Sequence, residues 1–353
     1  AGREWRNEAE EMNGRDDDGN GYVDDVHGIA YDIESRRAAE LLLPLSAEQR
    51  EDYPAMRALT KGLLDVQAAI DSPEAAELKQ RMAALQAAEV KTLIEGISLF
   101  GNYTHGTHVA GIAAAGNPAV RLMGARITFD HRMIPLLPTR ERAEREAQAM
   151  REVVRYFKDH GVRVVNMSWG GSPQDIEGAF EANGAGGTPE ERKKLAREFF
   201  ELSRVALMEA MREAPEILFV CAAGNSDNDA AFAEMIPSGI DLPNVLTVGA
   251  VDQAGEETSF TSFGRNVDVH ASGFEVESTL PGGELMKYSG TSMASPNVAN
   301  LAAKLLAIEP ALTVEAVIDF IQRGCERSED GRINLINPKR SVELLREEKG
   351  RKT

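Results

Sequence analysis

The stretch SGTSMASP at residues 289–296, followed by VANLAAKLL at 298–306, is the strongest indication of chemistry in this chain. Its small residues form a turn that leads into an apolar helical pattern. Pro296 is predicted in the first helical turn, where its missing N–H costs little. Ser292 then lies in the positive field of the helix N-terminus, which suits a nucleophile whose attack creates an oxyanion. The alternative is that Ser292 is a helix-capping serine.

Short β-branched runs alternate with amphipathic helical stretches along much of the chain. The strand-like runs cover 162–167, 217–222, 245–248 and 267–270, and helical stretches between them cover 139–160 and 189–213. This alternation predicts βαβ units and an α/β fold, in which a mainly parallel sheet lies between two helical layers as a three-layer sandwich. Ligands of such sheets bind beyond the carboxyl ends of the strands. We predict a single domain over residues 1–353 with a helical insertion at 33–98, where leucines recur among Ala, Glu and Lys.

Composition excludes some function classes. The formal charge is 39 − 57 = −18, which argues against a nucleic-acid partner because phosphates require a basic surface. No apolar run approaches the roughly 20 residues of a membrane span. Cys221 and Cys325 lack metal-site spacing and are predicted to be packed thiols.

Three polar residues in glycine-flanked segments carry the candidate chemistry: His105, Asn225 and Ser292. A serine nucleophile needs a base, and histidine is the natural base near neutral pH. A side-chain amide can stabilise the tetrahedral intermediate. Taken singly, each residue also has an ordinary structural explanation, as a packing residue, a turn former or a cap.

Three motifs together resemble those of the subtilisin-like serine proteases (subtilases). They are HGTHVAG at 105–111, AGN at 223–225 and GTSMASP at 290–296. The resemblance implies a serine endopeptidase that hydrolyses peptide bonds through an acyl-enzyme, with His105 as base, Ser292 as nucleophile and Asn225 in the oxyanion hole. It also implies polypeptide substrates and a secreted, periplasmic or cell-surface location.

The segment MSWGG at 167–171 is similar to the family's substrate-pairing strand. The resemblance therefore implies that Ser168, Trp169 and Gly170 bind the substrate backbone. The chain departs from the family after the serine motif, where Asn297 and Asn300 replace a histidine and a glycine. We expect these asparagines to alter helix packing and not the chemistry.

The third member of the triad has no assigned residue. The family's aspartate ends an apolar strand in an Asp-Thr-Gly or Asp-Ser-Gly context, ahead of the histidine, and no such sequence occurs here. Asp24, Asp25 and Asp32 are nearest in sequence order, but none of them ends an apolar strand. We therefore expect an N-terminally incomplete domain, whose sheet is completed by an upstream segment on the precursor or on a separate chain.

An acidic loop has the D-x-D-x-N-G spacing of a calcium site. Its predicted ligands are Asp16, Asp18, Asn20, the carbonyl of Tyr22, and Asp24. The twelfth position is His27 and not the bidentate glutamate of an EF-hand, so the pattern favours a partial calcium loop. The alternative is a solvated acidic turn.

Two other function classes stay open at this stage. Without the triad carboxylate, the chain could be a catalytically impaired pseudoprotease or a regulatory peptide-binding module. An esterase of the α/β-hydrolase type fits less well, because GTSMA at 290–294 lacks the second glycine of the nucleophile elbow. The insertion at 33–98 could be a lid, a docking surface, a clamp over the cleft or a packed helical hairpin.

Overall fold

The computed structural model describes residues 2–229 and 234–352. Its helices are α1 (Ala47–Glu51), α2 (Tyr53–Gln67), α3 (Pro73–Ala84), α4 (Ala87–Ala114), α5 (Arg140–Asp159), α6 (Pro173–Ala182), α7 (Pro189–Arg212), α8 (Thr291–Ile308), α9 (Val314–Gly324) and α10 (Pro338–Lys352). Its strands are β1 (Gly28–Tyr31), β2 (Arg37–Ala38), β3 (Gly124–Ile127), β4 (Val164–Met167), β5 (Leu218–Ala222), β6 (Val245–Val251), β7 (Val269–Ser272), β8 (Val276–Thr279), β9 (Leu285–Tyr288), β10 (Glu326–Arg327) and β11 (Asn334–Leu335).

The larger sheet has the strand order β10-β11-β7-β6-β5-β4, and β4 to β7 pair in parallel. Side chains of β5 alternate between two cores, as the period of a strand requires. Phe219 packs in the core that contains α5 and α7, whereas Val220 packs in the core that contains α8, α9 and α10. The sheet therefore lies between two helical layers, and the predicted three-layer α/β sandwich is confirmed.

A second, smaller sheet has the order β2-β1-β3, with β1 and β3 parallel. Within the described residues, β3 and β4 are therefore both edge strands. A cavity of about 1780 Å³ is lined by both of these edges, at residues 121–129 and 162–170. We call this space the interstrand cavity. Its other walls include Met150, Val153, Val154 and Phe157 of α5, together with small residues of α4 and α8 such as Ala110, Ala113, Ala299 and Ala303.

The region 33–98 holds α1, α2, α3 and the first part of α4, whereas residues 33–46 lie outside helices and include β2. These helices pack around a core of Leu59, Leu78, Leu93 and Ile97. Tyr53 Oη donates to the carbonyl of Pro281 at 3.3 Å, which ties α2 to the β8–β9 turn. The segment therefore has its own hydrophobic cluster, and it joins the main body through this polar contact and through Leu64 and Ala68, which pack against cores of the main body.

Two simpler predictions can also be compared with the structure. Both cysteines are free thiols, and Cys221 is fully buried, as predicted. Across the described residues, each helix is too short or too polar to cross a bilayer.

The β1–β3 pairing should depend on the absence of a side chain at Gly28. This residue has φ +132°, and a Cβ there would lie 1.9 Å from the carbonyl oxygen of Gly124. We expect Gly28→Ala to lower the free energy of unfolding by about 3 kcal/mol or more, because the strands must separate. Urea unfolding followed by circular dichroism measures this loss.

The matched control is Gly178→Ala, in α6, where a Cβ would meet nothing within 4 Å. This variant should be about 0.5–1 kcal/mol more stable than the parent, because alanine favours a helix over glycine. A Gly28→Ala protein with the parent's unfolding midpoint would contradict the proposed close approach.

Candidate active site

Ser292 is the second residue of α8, and the N-cap position belongs to Gly290, which offers no side chain. The explanation of Ser292 as a capping serine is therefore wrong. Its Oγ instead donates to the carbonyl oxygen of Ser168 at 3.3 Å. The residue lies where backbone N–H groups of the first helical turn point outward, as the sequence predicted.

Pro296 is the sixth residue of α8 and lies in its second turn, so its predicted position in the first turn is wrong. A proline here leaves the carbonyl of Ser292 without its i+4 donor. Ser168 Oγ supplies the missing hydrogen bond at 2.8 Å. Ser168 and Ser292 are therefore joined in both directions, and this reciprocal pair fixes the start of α8 against the end of β4.

Asn225 follows β5 and contacts the same helix end. Its Oδ1 accepts from the backbone N–H of Thr291 at 2.8 Å and from Thr291 Oγ1 at 2.9 Å. Thr291 Oγ1 in turn accepts from the N–H of Gly224 at 3.2 Å. These bonds turn the amide so that Nδ2, which has no acceptor among the described residues, is the donor available to a ligand.

His105 lies inside α4, not at the start of a helix, because α4 runs without a break from the insertion through the histidine motif. The ring lines the interstrand cavity together with Asn225 and Ser292. Burial and the nearby His108 lower the pKa of His105 to about 4, so the imidazole is neutral at pH 7. In the described chain it forms no hydrogen bond with Ser292.

His108 has a structural role. Its Nε2 lies 2.9 Å from the carbonyl oxygen of Met286, and its ring stacks on Tyr288 with a centroid distance of 4.4 Å. Burial lowers the pKa of His108 as well, which keeps this packed ring neutral. The two histidines of the motif therefore separate into one cavity-facing ring and one core ring.

Comparison with known proteins shows the family of this chain. The model of the subtilase family matches residues 75–336. The chain belongs to the subtilase family. Subtilisin E from Bacillus subtilis (strain 168) is 28% identical over 220 residues, which cover 62% of this chain and 50% of that protein. The thermophilic serine proteinase of Bacillus sp. (strain AK1) is 31% identical over 241 residues, which cover 66% of this chain and 51% of that protein. The chain thus spans about half the length of these curated relatives.

Two solved structures share the fold of this subtilase. The prenylagaramide maturation protease PagA has a TM-score of 0.51 at 21% identity, over 69% of this chain and 82% of that one. A protease from Pseudoalteromonas arctica PAMC 21717 has a TM-score of 0.50 at 20% identity, over 68% of this chain and 70% of that one.

The three candidate aspartates of this subtilase are engaged elsewhere. Asp24 Oδ1 accepts from the N–H groups of Asn13 and Gly14, Asp25 accepts from Tyr156 Oη, and Asp32 Oδ1 accepts from the backbone after β1. None of the three lines the interstrand cavity. Within the described residues, no carboxylate influences the pKa of His105.

The predicted substrate-binding residues follow β4 directly. Ser168 is buried and bonded to Ser292, whereas Gly170 is exposed at the mouth of the cavity. The ring of Trp169 lies 6.2 Å from that of Phe129, which follows β3. These two aromatic side chains therefore stand on opposite edges of the interstrand cavity.

The predicted metal ligands are divided in the structure. Asp18 lies in a cluster with Glu10 and Asp25, whereas the carboxylates of Asp16 and Asp24 accept backbone N–H bonds within their own loop. The side-chain oxygen of Asn20 accepts from the N–H of Tyr22. Glu10 was missed from the sequence, because it lies outside the spaced pattern.

Asn300 also has a role that the sequence did not reveal. Its Nδ2 donates to the carbonyl oxygens of Ala113 and Ala115 at 2.8 and 2.9 Å. Helix C-termini leave such carbonyls without partners. Asn300 therefore ties the C-terminal end of α4, the helix that carries His105, to α8, the helix that carries Ser292.

We expect Asn300→Ala to lower the free energy of unfolding by about 1–3 kcal/mol, because it leaves two carbonyls without their donor. Asn297→Ala is the matched control on the same helix, and its partly exposed amide can be replaced by water at a smaller cost. Chemical unfolding of both variants measures the difference. Equal losses would contradict the assigned role of Asn300.

Proposed function

We propose that this subtilase chain carries the nucleophile, the base and the oxyanion donor of a serine endopeptidase. The observation that supports the proposal is that His105, Asn225 and Ser292, which are far apart in sequence, line one cavity beyond the carboxyl ends of parallel strands. Ser168, Trp169 and Gly170 stand beside the nucleophile, where a substrate backbone could add as a strand.

The reaction begins when Ser292 Oγ leaves the carbonyl of Ser168 and attacks the carbonyl carbon of the scissile peptide bond. His105 takes the hydroxyl proton, and the oxyanion is held by Asn225 Nδ2 and the N–H of Ser292. As the carbon–nitrogen bond breaks, His105 gives the proton to the leaving amine. Water then cleaves the acyl-enzyme ester with His105 again as base, which restores Ser292.

We further propose that a single extended segment completes the domain by entering the interstrand cavity between β3 and β4. Both edges need hydrogen-bond partners, and the walls formed by α5 and by the small residues of α4 and α8 are apolar, as a central strand requires. A strand parallel to β3 and β4 would end on the side of His105. A carboxylate at that end would supply the third member of the triad, from the precursor or from a separate chain.

A synthetic peptide tests both proposals. It has N-terminal lysines for solubility, a run of valine and isoleucine, and a closing Asp-Thr-Gly; the matched control closes in Asn-Thr-Gly. We expect the first peptide to raise both peptidase activity and labelling of Ser292 by a fluorophosphonate. The Asn peptide should give about 10⁴-fold less activity, the order of loss when a triad aspartate is replaced.

The same titration has an electrostatic readout. A carboxylate beside an imidazole favours its protonated form, so docking of the Asp peptide should raise the pKa of His105 above about 4. Because the base works when unprotonated, activity should be lost as the pH falls through this raised value. NMR of the His105 ring measures the shift. Peptide binding without labelling or activity would instead indicate a peptide-binding module.

Asn225→Ala should lower kcat about 10²- to 10³-fold in the completed enzyme, the loss found for one oxyanion donor in subtilisin, while KM changes little. The amide acts on the transition state and not on the bound substrate. Asn297→Ala, on the nucleophile helix but outside the oxyanion hole, is the control and should keep kcat within about threefold. Equal kcat values for both variants would remove Asn225 from the mechanism.

Two further properties are proposed from the acidic loop and from the family. A calcium ion bound by the loop region 10–25 is supported by the oxygen-only donors there, which match the preference of calcium. A secreted, periplasmic or cell-surface location is supported by the subtilase relatives. Fractionation of the producing cells tests the location.

A further inference from the structure

Three carboxyl groups lie together at the base of the acidic loop. They belong to Glu10, Asp18 and Asp25, and one oxygen of each lies within 4.8 Å of the others. Glu10 is fully buried, Asp25 is 2% exposed and Asp18 faces solvent. We call this group the carboxylate trio. Two of its members come from outside the ligand set predicted from the D-x-D-x-N-G spacing.

Glu10 supplies the observation that separates this group from an ordinary acidic cluster. Its Oε1 accepts from the N–H groups of Asp17 and Asp18, at 2.7 and 2.9 Å. Its Oε2 is buried and has no hydrogen-bond partner. A buried carboxylate oxygen without a donor is costly, so the site requires a partner at this atom.

The surroundings provide dipoles but no counter-charge. Asn7 and Asn20 donate amide hydrogens to Asp18 and Asp25, and Tyr156 Oη donates to Asp25 at 2.6 Å. In the described part of the chain, no lysine, arginine or histidine forms an ion pair with the carboxylate trio. Three carboxylates so close together repel one another unless a cation lies between them.

We propose that the carboxylate trio is the calcium site of this subtilase, with Glu10 Oε2, Asp18 and Asp25 as protein ligands and water on the exposed side of Asp18. The donors are all oxygen, with no imidazole or thiolate, which excludes a zinc-type set. Calcium accepts six to eight oxygen ligands in irregular arrangements. The three carboxylates of the trio would supply part of this set, and water would supply the rest. The assignment rests on the proposed binding of calcium by the loop region and names its ligands.

The trio connects the loop to the frame of the interstrand cavity. Asp25 lies three residues before β1, and its partner Tyr156 belongs to α5, the helix that forms one cavity wall. An ion at this position would bind the loop, the start of β1 and α5 into one unit. Calcium should therefore stabilise the whole chain, and not the loop alone.

Calorimetric titration of the full 353-residue chain with CaCl₂, after treatment with EDTA and its removal, tests the proposal. We expect the titration to show one calcium ion per chain and weaker binding of Mg²⁺. Thermal unfolding of the same samples should show a Tm rise of at least about 3 °C at saturating calcium. Glu10→Gln and Asp18→Asn should each weaken calcium binding at least about 10-fold. Gln retains an oxygen for the two backbone donors, and Asp18 is exposed, so both variants should fold.

Asp24→Asn and Asp17→Asn are the matched controls. Asp24 belongs to the ligand set predicted from spacing, and Asp17 is an exposed carboxylate of the same loop. Both variants should keep the parent's affinity within about threefold. If Asp24→Asn abolishes binding while Glu10→Gln does not, calcium binds but the trio is wrong. If the parent binds no calcium at millimolar concentration, both the proposed calcium binding by the loop region and the assignment of the carboxylate trio are wrong.

Discussion

A buried parallel strand needs hydrogen-bond partners along both of its edges, and this requirement governs the structure around the active site. In the described chain, β3 and β4 each pair on one side only, and their other edges line the interstrand cavity. The helical layers nevertheless cover this region as they cover the rest of the sheet. These two free edges support the proposed additional strand, on which the proposed chemistry would depend as much as the sheet.

The proposed nucleophile, Ser292, is held by contacts that do not depend on the interstrand cavity being filled. Pro296 leaves the carbonyl of Ser292 without a helical donor, and Ser168 supplies one. Asn225 is fixed through Thr291 at the same helix end. The proposed nucleophile and oxyanion donor are therefore joined through one set of hydrogen bonds between β4, β5 and α8. The proposed base, His105, is carried by α4, which Asn300 ties to α8.

Sequence patterns predicted most of this arrangement where the determinants are local. The strand-like runs and helical periods correspond to β4 to β7, α5 and α7, because alternation and amphipathicity reflect burial on one face. Pro296 was placed one turn too early, since the start of α8 depends on Gly290 and on the distant Ser168. The spaced acidic pattern did not include Glu10, because its contact with Asp18 and Asp25 is set by the chain fold. Asn300 was expected to affect packing, but its acceptors in α4 lie far away in sequence.

The electrostatics of His105 connect the sheet to the proposed catalysis. A base whose pKa is about 4 is unprotonated at neutral pH, but it gains little free energy when it takes the proton of a serine. Burial lowers that pKa, and a carboxylate at the end of an added strand would oppose the effect of burial. One element would then satisfy the edges of β3 and β4 and also increase the basicity of His105. Because both effects require the same segment in the same place, a chain in which the cavity is not filled should hold its nucleophile correctly and still be a poor catalyst.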